Sequence, residues 1–119
     1  MRRALVCDDD RSIRTMLHAL LRHSHFDVET VDGGGEAIAR LAEPFDLVVL
    51  DLMMPNTSGY DVLDHIQRTN PQLLQRVIVA TAHAAIVRQP LTTPVAAVLV
   101  KPFDLHEFMQ AVHDVIVKS

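Results

Sequence analysis

Five residues of the 119-residue chain combine reactive chemistry with a repeated placement: each stands just beyond a short hydrophobic run. Asp8 and Asp9 follow residues 4–7, Asp51 follows 47–50, Thr81 follows 77–80 and Lys101 follows 95–100. Three carboxylates gathered at one place repel one another and are hard to keep ionised without a cation. A hard divalent ion with oxygen ligands relieves that repulsion. Magnesium suits a site that keeps positions for water and a substrate phosphate. A lysine would then face the phosphate as a point charge, and a threonine hydroxyl would donate to one of its oxygens. A carboxylate beside the metal can itself be the nucleophile and carry the phosphoryl group as an aspartyl phosphate. In-line transfer of that kind needs positioning and charge neutralisation more than acid–base chemistry.

For these residues to meet, the runs before them must lie side by side with their ends together. Runs 4–7, 47–50, 77–80 and 95–100 are apolar without alternation, as strands buried on both faces are; 26–31 is partly polar and suits an edge. Helical spacing recurs between them. Ile13, Met16, Leu17, Leu20 and Leu21 mark one helix, and Ala37, Ile38, Leu41 and Ala42 a second, closed before Pro44. Val62, Leu63 and Ile66 mark a third. Leu105, Phe108, Met109, Val112 and Ile116 mark the last, behind an Asp104–Glu107 capping pair. Alternating strands and helices mean parallel crossovers, so the expected architecture is a doubly wound five-stranded parallel α/β sheet, one domain over residues 1–119. In such sheets the functional crevice lies beyond the carboxyl ends of the strands, where strand order reverses. Asp8, Asp9, Asp51, Thr81 and Lys101 would all arrive there.

Composition narrows the classes further. With 49% apolar residues and a formal charge of −4, the chain is not a disordered segment, and it offers no basic surface for direct nucleic-acid contact. The single cysteine, Cys7, excludes a disulfide scaffold and a cysteine-based zinc site. No apolar run approaches the roughly 20 residues of a membrane span, and no signal-peptide pattern opens the chain, so a cytoplasmic domain is expected. The only lysines are Lys101 and Lys118, against nine arginines, which sets Lys101 apart.

Four motifs in order now carry a resemblance. Cys7-Asp8-Asp9-Asp10, the run Leu50-Asp51-Leu52-Met53-Met54-Pro55 with Gly59 after it, the Ala80-Thr81-Ala82 step and Val100-Lys101-Pro102-Phe103 resemble the receiver domain of two-component response regulators, across the whole chain. The resemblance implies a flavodoxin-like strand order 2-1-3-4-5 and transfer of a phosphoryl group from a histidine kinase or histidine phosphotransfer protein. It makes Asp51 the acceptor, with Thr81 and Lys101 facing the phosphate. Asp8, Asp9, Asp51 and the Met53 backbone carbonyl would hold Mg2+, and Lys101 would lead through a cis peptide to Pro102. A downstream output domain or protein, and a phosphorylation-dependent dimer, are further implied partners. Such a domain is a switch, not an enzyme.

Other readings stay beside this one. Asp10 is an N-cap, and Gly33 to Gly35 are a turn before a helix, since they lack dinucleotide or P-loop spacing. The seven histidines fall on different elements without a ligand pair; His83, two residues past Thr81, is the one that could overhang the site. Cys7 reads as a core thiol. The segment 82–97 departs from the family pattern: Pro90 and Pro94 break it, leaving room for an irregular or shortened fourth helix from about Ala84 to Gln89. Val98 stands where many members carry an aromatic. A pseudo-receiver that binds partners without phosphorylation, and a phosphatase with an aspartate nucleophile, remain as alternatives. The latter class wants an acid two residues after the nucleophile, where this chain has Met53.

Overall fold

The computed structural model describes residues 1–83 and 91–118. The apolar runs become strands: β1 (Arg2–Cys7), β2 (Phe26–Val31), β3 (Leu47–Leu50), β4 (Val77–Thr81) and β5 (Ala97–Val100). All pair in parallel, in the order β2-β1-β3-β4-β5. Strands β1, β3 and β4, which carry the apolar runs 4–7, 47–50 and 77–80, take the centre, and partly polar β2 takes an edge, as its composition requires.

Among the described residues the helices are α1 (Arg11–His23), α2 (Gly34–Arg40), α3 (Gly59–Thr69) and α4 (Leu105–Lys118), with a 3-10 helix at Pro71–Arg76. They cover both faces. Ala4, Val6, Leu47, Val49, Ile78 and Ala80 meet Leu17 and Leu21 of α1 and Phe108 and Val112 of α4. The alternate strand residues Leu5, Cys7, Val48, Leu50, Val77 and Val79 meet Ala37 of α2 and Val62, Leu63 and Ile66 of α3. Successive side chains of a strand point to opposite faces, so one apolar run serves two cores.

Local chemistry sets the helix starts. Asp10 is the N-cap of α1, accepting from the amides of Ser12 at 2.8 Å and Ile13 at 3.3 Å. Asp104 accepts from the His106 amide at 2.8 Å at the start of α4. The reciprocal capping box belongs to α3, between Ser58 and Asp61. Glu29, the fourth residue of β2, pairs with both Arg3 and Arg40, and the Arg3 amide donates to Asp46 at 2.8 Å.

Strand β5 begins at Ala97, two residues later than its apolar run. Pro94 precedes that run; Val95 packs into the α2–α3 core and the Ala96 amide donates to Val77 O at 2.9 Å, so these two residues approach the sheet before the ladder starts. The shortened fourth helix expected over 84–89 lies outside the described residues. Residues 91–96 contain neither helix nor strand.

Candidate functional site

Strand register brings the site together. Cys7 pairs with Leu50, so Asp8 and Asp51 leave neighbouring strands at one level, and the Asp51 amide donates to Cys7 O at 2.9 Å. Thr81 pairs with Val100, and the next residue, Lys101, returns its amide to Thr81 O at 2.8 Å. The Lys101–Pro102 peptide is cis. Carboxylate oxygens of Asp8, Asp9 and Asp51 lie within 4.8 Å of one another; among the described residues no other group of three His, Cys, Asp or Glu side chains could hold an ion. The remaining histidines and Cys7 therefore stay outside any such cluster.

Lys101 is the centre of the hydrogen-bond pattern. Its Nζ donates to Asp8 Oδ2 at 2.7 Å and to Asp51 Oδ2 at 3.2 Å. The other oxygens accept from backbone: Asp8 Oδ1 from the Asp10 amide at 2.9 Å, Asp51 Oδ1 from the Met53 amide at 3.0 Å. Asp8, Asp51 and Thr81 are buried, whereas Asp9 is exposed and the Met53 side chain is open to solvent. Arg14 of α1 donates to the Asp8 carbonyl at 2.9 Å and fixes that turn from outside.

The electrostatics follow from burial. Desolvation raises the Asp8 pKa above its ordinary value and the nearby Asp51 charge adds to it, against the opposing pull of Lys101 and the Asp10 amide. Burial works against the Lys101 ammonium, but its hydrogen bonds and the charges of Asp8 and Asp51 outweigh that and raise its pKa. Lys101 is therefore a firm cation. Three carboxylates against one ammonium leave two negative charges uncompensated. An all-oxygen donor set with that surplus fits a hard divalent cation such as magnesium.

The loop between β3 and α3 is held by two glycines. A Cβ on Gly59 would stand 2.2 Å from Asp51 O, and one on Gly34 would stand 2.2 Å from Thr57 O. Only Gly33 of the glycine stretch precedes the helix, as its N-cap; Gly34 and Gly35, expected in the turn, form the first residues of α2, and Gly34 packs against the acceptor-side loop. His83 does lie at the rim. Its amide donates to Thr81 Oγ1 at 3.2 Å and its ring meets Tyr60. Tyr60 and Arg14 escape a reading by spacing alone, because each acts across two elements. The faint signal for Tyr60 is its place beside Gly59 as the chain's single tyrosine.

The family model for the response regulator receiver domain matches residues 4–113. The chain belongs to that family. The CpxR homologue of Haemophilus influenzae, a transcriptional regulatory protein, is 32% identical over 121 residues, spanning 100% of this chain and 52% of its own length. The receiver protein CpdR of Brucella abortus is 29% identical over 122 residues and is covered over 100% of both chains. This receiver domain therefore spans about half of the first relative's length and all of the second's. Among solved structures, the response regulator TrrA from Thermotoga maritima, in complex with Mg2+ and BeF, superposes with a TM-score of 0.85 at 28% identity, covering 97% of this chain and 99% of that one. The five-stranded flavodoxin-like receiver fold is thus shared with TrrA. No helix among the described residues is long and apolar enough to cross a membrane.

Proposed function

We propose that Asp51 accepts a phosphoryl group from a phosphohistidine partner, a histidine kinase or phosphotransfer protein, and that the domain thereby acts as a switch for an output domain or protein. The observation that carries this reading is the pairing of buried Asp8 and Asp51 through one ammonium, beside exposed Asp9. Two carboxylates buried on a single ammonium are under-compensated and costly to keep, which supports a role beyond stability.

Asp8, Asp9, Asp51 and the Met53 carbonyl would hold magnesium. Bound there, the ion would offset the negative charge that the carboxylates share with an incoming phosphate. The chain's own groups do the rest. A carboxylate oxygen of Asp51 attacks phosphorus while the phosphorus–nitrogen bond of the donor breaks, its electron pair going to the imidazole. The Met53 amide and Lys101, which now hold the Asp51 oxygens, orient the carboxylate for that approach. Lys101 then exchanges part of its hold on Asp51 for a phosphate oxygen, and the Thr81 hydroxyl donates to another. The magnesium and beryllofluoride present in TrrA support the reading by analogy with that protein.

Incubation with acetyl phosphate and magnesium, read by intact mass, tests it. The parent should gain one phosphoryl group, and Asp51→Asn should gain none, because an amide is no nucleophile. Full labelling of Asp51→Asn would remove the assignment. An unlabelled parent would favour a partner-binding module without phosphorylation.

A further inference from the structure

Tyr60 and His83 reach each other from opposite sides of the site. Tyr60 is the second residue of α3, whose first residue, Gly59, donates its amide to Leu52 O at 3.1 Å and rests on the Asp51 backbone. His83 lies two residues past Thr81 and donates its amide to Thr81 Oγ1 at 3.2 Å. The two rings meet edge to face, with centroids 6.3 Å apart and planes at 89°, an arrangement that ring quadrupoles favour. Tyr60 is 42% exposed, so more than half of it is covered despite its place at a helix start. The contact closes a circuit outside the cleft. Asp51 connects to Gly59 through backbone, Tyr60 to His83 through the rings, and His83 to Thr81 through the hydrogen bond.

The circuit constrains what Thr81 can do. A hydroxyl has one proton to give and two lone pairs to accept with. Here one lone pair is taken by the His83 amide, which holds the side-chain rotamer and leaves the proton for another acceptor. Thr81 is fully buried, so it has little room for a second orientation. A change of rotamer that carried Oγ1 itself toward an anion at Asp51 would stretch the His83 bond, and the His83 ring rests on Tyr60. We propose that Tyr60 is a positioning residue for Thr81, acting through the His83 ring and amide, and that this strut sets how readily the Thr81 hydroxyl reaches a phosphoryl group on Asp51. The inference rests on Asp51 being the acceptor.

Two measurements on the whole chain test the strut. The first is amide hydrogen exchange at His83 without any phosphate donor. Tyr60→Ala should exchange several-fold faster there, and Tyr60→Phe, which keeps the ring, should match the parent. The second is the lifetime of the phosphoryl group after labelling with acetyl phosphate. Tyr60→Ala and His83→Ala should change it several-fold in the same direction, and the double variant should go no further than either single one. Tyr60→Phe should restore the parental lifetime. A parent that labels normally, with lifetime and His83 exchange untouched in Tyr60→Ala, would overturn the strut alone. Additive effects of the two alanine variants would overturn it too. A parent that gains no phosphoryl mass would instead overturn the reading of Asp51, and the strut's purpose with it.

Discussion

Gly59 begins α3 directly on the backbone of Asp51, so close that a Cβ would stand 2.2 Å from the Asp51 carbonyl oxygen and 2.5 Å from Leu52 Cα. Neither neighbour is a side chain that can swing away. Gly59→Ala should therefore push the helix start off the acceptor loop, at a cost of about 1–3 kcal/mol. Urea unfolding should show the loss, and acetyl phosphate labelling should slow in the same variant. Gly35→Ala is the control, because nothing among the described residues lies within 4 Å of its Cβ position in α2. It should be neutral or stabilising by up to about 1 kcal/mol.

Lys101→Met should separate the two tasks of the ammonium. Without it, Asp8 and Asp51 face each other with both charges buried, so the metal-free fold should lose roughly 3 kcal/mol. The surplus negative charge grows, and the rise in melting temperature on adding millimolar magnesium should exceed that of the parent. Thermal unfolding with and without magnesium measures both. A magnesium response smaller than the parent's would mean that the acids do not act together on a cation.

Asp9 offers the opposite contrast. It is exposed and, among the described residues, no side-chain hydrogen bond holds it, whereas Asp8 is bonded at both oxygens. Asp9→Asn should leave metal-free stability within about 0.5 kcal/mol of the parent. Magnesium affinity should still fall by an order of magnitude, with the stabilisation it provides falling in step. Titration calorimetry and melting curves on the same samples check the two halves.

Cys7 predicts a pH dependence with a definite sign. Burial pushes its thiol pKa well above the ordinary value of 9.0, with the Asp8 charge adding to the shift. The folded state therefore keeps the proton that the unfolded chain releases. Stability from this group is fully present below the unfolded pKa and declines as pH rises above it, by up to about 1.4 kcal/mol per unit. Urea unfolding of the parent at pH 7.5 and pH 10 should show a larger loss than in Cys7→Ala. The folded thiol should also resist alkylation at pH 8.

Much of this was legible before any coordinates, and the reason is burial. Runs such as 47–50 are apolar on both faces, so their extent and their first polar residue, Asp51, coincide with strand β3 and its end. Strand β5 was less legible: Val95 and Ala96 are apolar, but they serve the core ahead of the ladder. The hold of Lys101 on Asp8 as well as Asp51, the support of Arg14 and the ring contact of Tyr60 depend on where separate elements come to rest. Spacing along one chain carries no record of such meetings.

The two edges of the sheet differ in what they offer a foreign strand. Strand β2 exposes its outer side over six residues, long enough to template pairing, yet it carries Asp27 and Glu29. A docking chain would have to settle beside that carboxylate pair, and Glu29 is already tied to Arg3 and Arg40. Strand β5 carries no charge but has only four residues, too few for a persuasive ladder. One border is defended by charge and the other by brevity, so a concentrated solution of this protein should resist sheet-to-sheet aggregation, and any self-association should proceed through its helices.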